Sequence, residues 1–145
     1  MRARPLVLIV EDEPDLLTLL RVVIEMNGYE AALAAEGHTA LERLDAERPD
    51  LVLLDLMLPV MDGWQVLAEM RSRPDPPPVI ICSAARSARD VQVAAERGAA
   101  AVLSKPIDME LLLETMASTL VEHSRVRAPG SILMGDARIE GIQPA

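Results

Sequence analysis

Four short apolar runs, each followed by polar side chains, constrain the fold of this chain more than any other feature. The runs cover residues 6–10, 51–54, 79–82 and 99–103. Runs of this length that are rich in valine, isoleucine and leucine are typical of strands buried on both faces, as in parallel sheets covered by helices. Ligands of open parallel sheets bind beyond the carboxyl ends of the strands. The sequence therefore predicts a binding site at one edge of a parallel sheet.

The residues that follow these runs carry the chemistry of a phosphoryl site. Glu11 and Asp12 follow the first run, Asp55 the second, Ser83 the third, and Lys105, the only lysine of the chain, comes shortly after the fourth. Carboxylates are ligands that Mg²⁺ prefers, and phosphoryl transfer needs mainly positioning and charge neutralisation. We expect Asp55 to be a nucleophile that forms an aspartyl phosphate, while Lys105 and Ser83 contact phosphoryl oxygens.

Strand patterns alternate with helical patterns along most of the chain. A second strand is predicted at residues 30–34 and the third at 50–55, with helices at about 14–27, 39–47, 64–71, 87–97 and from 108 to about 123. This alternation favours right-handed crossovers and an α/β fold with a five-stranded parallel sheet. Residues 124–145 contain several prolines and glycines. We therefore predict one domain over residues 1–123 and a tail or linker over 124–145, which we expect to pack on its own domain or on another chain.

Composition argues against several classes of protein. The net charge is −9, which disfavours direct binding of nucleic acid. The single cysteine excludes a disulfide framework, no apolar stretch approaches the length of a membrane span, and the first apolar run is too short for a signal peptide. These features predict a cytoplasmic protein without a membrane segment.

The motifs at the strand ends resemble the receiver domain of two-component response regulators. The resemblance extends from residue 5 to about 123 and rests on residues 10–13, 54–59, 61–63, 82–84, 98–99 and 104–106. It implies a flavodoxin-like (βα)5 three-layer sandwich that receives a phosphoryl group from a sensor histidine kinase or phosphotransfer protein. It also implies that phosphorylation changes the binding of a downstream partner, or acts on an effector domain outside this chain, and that a homodimer is one possible form. Such a domain is not an enzyme beyond its own phosphorylation and dephosphorylation.

The resemblance also implies roles for individual residues. Asp55 is the phosphoacceptor, Lys105 binds the phosphoryl group, and Ser83 is the switch hydroxyl. Glu11, Asp12 and Asp55 hold Mg²⁺ together with the main-chain carbonyl of Met57. The family often has tyrosine or phenylalanine at the switch position that Val102 occupies here. Because valine has few rotamers, we expect the signal to leave through the loop after Ser83 and the following helix instead.

Three other interpretations compete with this one. An aspartate-nucleophile phosphatase would need a second acid two residues after Asp55, where Met57 stands. A nucleotide-binding module would need a glycine-rich loop after the first strand. A pseudo-receiver that binds partners without being phosphorylated stays open as the alternative, although the complete set of acids, hydroxyl and lysine argues against it.

Overall fold

A computed structural model describes residues 2–84 and 87–127 of the chain, and strands and helices alternate throughout these ranges. The elements are β1 (Leu6–Val10), α1 (Pro14–Met26), β2 (Glu30–Ala34), α2 (Gly37–Glu47), β3 (Leu51–Leu54), α3 (Gly63–Arg71), β4 (Val79–Ser83), α4 (Ala88–Glu96), β5 (Ala101–Ser104) and α5 (Met109–Arg127). The predicted number and order of the elements are confirmed.

The five strands form one parallel sheet in the order β2-β1-β3-β4-β5. The strand order reverses direction between β1 and β3, and such a switch point opens a crevice at the carboxyl ends of the strands. All residues of β1 and β3 are buried, as expected for central strands covered on both faces. The predicted α/β fold with a five-stranded parallel sheet is confirmed.

Two separate hydrophobic cores lie on the two faces of the sheet. One core contains Leu8 and Val10 of β1 and is covered by α2, α3 and α4, which contribute Leu44, Leu67 and Ala94. The other core contains the alternate β1 residues, and α1 and α5 cover it with four buried side chains: Leu20, Ile24, Leu112 and Met116. The result is the predicted three-layer sandwich, in which almost all core side chains are aliphatic.

Some boundaries differ from those predicted by a few residues. The helix α5 continues to Arg127, past the predicted end at about residue 123, because residues 124–127 contain neither proline nor glycine. The strand β5 begins at Ala101 and not at residue 99. The Ala99 amide donates to the Ala94 carbonyl at 2.9 Å, so Ala99 still belongs to the end of α4.

Other sequence predictions reach beyond the described ranges. The predicted packing of the tail concerns mainly residues 128–145, and the loop after Ser83 includes residues 85 and 86; both lie outside the described residues. The division of the chain at residue 123 stays a prediction. Among the described residues, no helix is long and apolar enough to cross a membrane.

Candidate functional site: an acidic cluster at the carboxyl edge of the sheet

Backbone hydrogen bonds place the predicted site residues at one edge of the sheet. The Glu11 amide donates to the Ala34 carbonyl at 3.0 Å, and the Asp55 amide donates to the Val10 carbonyl at 3.0 Å. These bonds continue the pairing of β1 with β2 and of β3 with β1 just beyond the strand ends. Glu11 and Asp55 therefore emerge side by side from adjacent strands.

Lys105 bridges the two buried acids. Its Nζ lies 2.8 Å from Glu11 Oε1 and 3.3 Å from Asp55 Oδ2. The side chains of Glu11 and Asp55 are only 2% and 3% exposed, respectively. Such buried carboxylates need a paired cation or hydrogen-bond donors, because removing them from water is costly. Lys105 supplies that cation from the segment after β5, where its amide donates to the Ser83 carbonyl at 3.0 Å.

The acidic cluster also includes Asp12, which is exposed. Glu11, Asp12 and Asp55 each offer a carboxylate oxygen, and these oxygens lie within 4.8 Å of one another. Three carboxylates against one ammonium leave the cluster short of positive charge when all are ionised. An oxygen-rich cluster with an exposed member suits a hard divalent cation that keeps some of its water ligands. The residues present therefore fit the predicted Mg²⁺ site.

The loop after β3 fixes the orientation of the Asp55 carboxylate. The Met57 amide donates to Asp55 Oδ1 at 3.0 Å, so the two carboxylate oxygens have different partners. The backbone of Met57 thus lies beside the carboxylate, as its predicted role requires. The use of its carbonyl as a metal ligand stays a prediction.

Burial and charge shift the ionisation of the site. Burial raises the pKa of Glu11, and the nearby Asp55 charge acts in the same direction, while the hydrogen bond from Lys105 opposes the shift. Burial also acts against the Lys105 ammonium, but its hydrogen bond to Glu11 and its attraction to both acids are stronger in total and raise the pKa of Lys105. Lys105 consequently stays charged, whereas a proton or a cation at Glu11 relieves part of the cost of its burial.

Ser83 and Val102 lie where the topology of the sheet predicts. Ser83 is fully buried as the last residue of β4, and its register partner on β5 is Ser104. Val102 is partly buried, lies opposite Ile81, and packs against the core that is covered by α2, α3 and α4. The hydroxyl is therefore at the correct edge, while Val102 is part of the packing between the strand and its helices.

Two residues that sequence reasoning did not assign to the site support its geometry. The Glu13 amide donates to Glu11 Oε2 at 3.2 Å, and the Glu13 side chain accepts from the Leu16 amide as the N-cap of α1. Gly63 begins α3 directly against the backbone of Asp55 and Leu56, where an added Cβ would lie 2.6 Å from the Asp55 carbonyl oxygen. An acidic residue before Pro14 was an available signal for the cap, but the close approach at Gly63 depends on tertiary packing.

This arrangement agrees with comparisons against known proteins. A family model described as "Response regulator receiver domain" matches residues 7–117. The chain belongs to this family. The alkaline phosphatase synthesis transcriptional regulatory protein PhoP of Bacillus subtilis (strain 168) is 31% identical to this receiver domain over 130 residues, which are 90% of this chain and 54% of that protein.

Other relatives support the same assignment. The response regulator MprA of Mycolicibacterium vanbaalenii is 35% identical over 114 residues, which are 79% of this chain and 49% of that protein. The crystal structure of a CheY-like response regulator receiver domain protein from Methanospirillum hungatei JF-1 has a TM-score of 0.79 at 28% identity, covering 86% of this chain and 99% of that one. This receiver domain therefore spans about half the length of the curated relatives that it matches.

Proposed function

We propose that this receiver domain accepts a phosphoryl group on Asp55 from a histidine kinase or phosphotransfer protein, in a reaction that depends on Mg²⁺. The observation that carries the proposal is the bridge from Lys105 to Glu11 and Asp55 inside a cluster of three carboxylates. A buried aspartate held beside a cation and two further acids supports a role as the nucleophile toward a phosphoryl group. Charged residues that only ended the strands in solvent would not need the contacts of Lys105 with two buried acids.

In the proposed transfer, a carboxylate oxygen of Asp55 forms the new bond to phosphorus. The bond from phosphorus to the donor imidazole nitrogen breaks, and its electron pair returns to the ring. Glu11, Asp12, Asp55 and the main-chain carbonyl of Met57 would hold Mg²⁺, which when bound offsets the repulsion between Asp55 and the phosphoryl oxygens. Lys105 neutralises further negative charge, and Ser83 provides a hydroxyl at the end of the neighbouring strand β4.

Labelling with a small phosphodonor tests the phosphoacceptor. We expect acetyl phosphate with Mg²⁺ to give a phosphorylated species in the intact-mass spectrum, and we expect Asp55→Asn to give none. Asp45→Asn is the matched control, because Asp45 is an aspartate on α2 that pairs with Arg73. Equal labelling of Asp55→Asn and wild type would refute the assignment. No labelling of wild type would favour the pseudo-receiver interpretation.

The exposed face of α1 supports a protein as the phosphoryl donor. Leu19, Val22 and Met26 are exposed and follow one another at spacings of three and four residues, which places them in one apolar stripe on the helix. The helix begins just after Glu11 and Asp12. An apolar stripe of this spacing packs well against another helix, so we propose that it meets a helical phosphodonor whose phosphohistidine approaches Asp55.

This partner surface is tested by comparing two donors. With a phosphorylated sensor kinase that labels wild type, Leu19→Ser should slow phosphorylation, while labelling by acetyl phosphate stays unchanged. Val121→Ser on α5 is the control, since Val121 is also an exposed apolar residue on a helix. The same slowing by both variants would exclude a specific role of α1. We also propose that phosphorylation changes the binding of a downstream partner, or acts on an effector domain outside this chain.

A further inference from the structure

The helix α4 is held in place by few buried contacts. Of the residues Ala88–Glu96, only Ala94 is buried. A capping box orders its first turn, in which the Asp90 amide donates to Ser87 Oγ and the Ser87 amide donates to Asp90 Oδ2, each at 3.1 Å. A helix with so few buried residues can be displaced at a low cost in free energy. The few contacts that α4 does make therefore have a large influence on its position.

At the other end of α4, side chains of α3 make contact with the helix terminus. The guanidinium carbon of Arg97, the C-cap residue of α4, lies 4.9 Å from the centroid of the Trp64 ring. This distance is within the range of a cation–π interaction, and tryptophan is the best aromatic partner for it. Gly98, which follows Arg97, lies against Arg71, the last residue of α3. A Cβ added to Gly98 would be 2.8 Å from Arg71 Nε. The helix α3 thus contacts the turn between α4 and β5 at two points.

The same helix α3 is fixed to the phosphoacceptor at its first turn. The Gly63 amide donates to the Leu56 carbonyl at 2.9 Å. A Cβ on Gly63 would lie 2.3 Å from Leu56 Cα, which leaves no space between the start of α3 and the backbone beside Asp55. Trp64 follows Gly63 directly, so a shift of the backbone at Asp55 and Leu56 displaces the tryptophan ring as well.

We propose that Trp64 and Arg97 form the coupling element that carries the phosphorylation state of Asp55 to α4. Phosphorylation replaces the single negative charge of the Asp55 carboxylate by a bulkier phosphoryl group that carries about 1.5 to 2 negative charges, and the loop after Asp55 must adjust to it. Gly63 transmits that adjustment to Trp64, and the cation–π contact transmits it to the C-terminal end of the sparsely anchored α4. This route uses a ring on α3 and needs no aromatic side chain at Val102. It rests on the proposed phosphorylation of Asp55 and extends that proposal to regulation.

Hydrogen exchange and fluorescence test this coupling without a partner protein. Beryllofluoride with Mg²⁺ serves as the phosphoryl mimic. Because Trp64 is the only tryptophan, its emission reports the contact directly. In wild type we expect the mimic to change both the Trp64 emission and the exchange protection of residues 88–96. In Arg97→Gln we expect most of the exchange response of residues 88–96 to be lost, and Arg97→Lys should retain it because the cation remains.

Control measurements separate this inference from the proposed function. Arg89→Gln removes the same charge from the other end of α4 and should respond like wild type. Labelling of Asp55 by acetyl phosphate should be equal in wild type and Arg97→Gln. If wild type is not labelled, the proposed function is wrong. If labelling is normal but Arg97→Gln responds like wild type, or Arg89→Gln loses the response equally, the coupling through Trp64 is wrong.

Discussion

Replacing Lys105 by methionine should destabilise the metal-free domain and strengthen its binding of Mg²⁺. Methionine keeps much of the length of the lysine side chain but removes the ammonium that lies 2.8 Å from Glu11 and 3.3 Å from Asp55. With an effective dielectric constant of about 20, these two attractions amount to about 6 and 5 kcal/mol before desolvation is counted. Their loss leaves two buried carboxylates facing each other without a cation.

The net cost is much smaller than the sum of these attractions. Removing one partner of a buried ion pair typically costs about 3–5 kcal/mol. The lower end applies here, because the Lys105 side chain is 22% exposed and solvent screens part of its charge. We expect a loss of about 3 kcal/mol at pH 8 without Mg²⁺, which corresponds to a decrease of roughly 10 °C in Tm for a domain of this size.

The affinity for Mg²⁺ should change in the opposite direction. Lys105 and Mg²⁺ compete for the same carboxylates and repel each other, so Lys105→Met should bind Mg²⁺ more tightly, by about tenfold or 1.4 kcal/mol. Differential scanning calorimetry measures the stability, and isothermal titration calorimetry measures the affinity. Millimolar Mg²⁺ should restore much of the lost Tm of the variant by mass action.

Two control variants show whether the ammonium causes these effects. Lys105→Arg keeps a positive charge and should bind Mg²⁺ much as wild type does. Arg21→Met removes an exposed cation that pairs with Glu25 on α1, so its effect on the unfolding free energy should stay below about 0.5 kcal/mol. The electrostatic reasoning is wrong if Lys105→Met is as stable as Arg21→Met, or if it binds Mg²⁺ more weakly than wild type.

Three further predictions concern single residues. Gly63→Ala should lower the unfolding free energy by about 3 kcal/mol in urea denaturation, because the new Cβ meets the backbone of Leu56 and not a flexible side chain; a loss below that of an ordinary surface substitution would contradict the packing. Val60→Gly should raise the unfolding free energy by roughly 0.5–1 kcal/mol, because Val60 is exposed and has a φ of 64°, a conformation that glycine adopts without steric cost. Burial raises the pKa of the Cys82 thiol to about 12, so iodoacetamide at pH 8 should leave it unmodified in the native protein and should alkylate it in urea.

The sequence predicts the fold and the edge of the site because both depend on simple patterns. Apolar runs mark the central strands, and Glu11 and Asp55 follow two runs that are adjacent in the sheet. The alanine-rich second strand was the weakest of these signals. It lies at the edge of the sheet, where Ala31 and Leu33 are only partly buried, so it needs fewer large apolar residues than the central strands.

Features that depend on three-dimensional contact were not accessible from the sequence. The sequence pattern assigned the same role to Glu11 and Asp12, as ligands of one metal ion, whereas the structure buries Glu11 against Lys105 and leaves Asp12 exposed. The two side chains lie in different environments because the Glu11 amide continues the pairing of β1 with β2, whereas Asp12 comes after that pairing has ended. The left-handed backbone at Val60 also has no sequence signal, since a β-branched residue disfavours that conformation.

The raised pKa of Glu11 makes the stability of the metal-free domain depend on pH in a defined direction. A carboxyl group whose pKa is raised in the folded state adds to stability at pH values below its ordinary pKa near 4.5. That contribution is lost as the pH rises through the raised pKa. Metal-free wild type should therefore lose stability relative to Glu11→Gln as the pH rises above that ordinary pKa. Urea denaturation at several pH values measures this difference. Parallel pH profiles of the two proteins would show that burial of Glu11 is not the cause. In wild type, Mg²⁺ should flatten the profile, because a cation at the cluster favours the ionised carboxylate that burial disfavours.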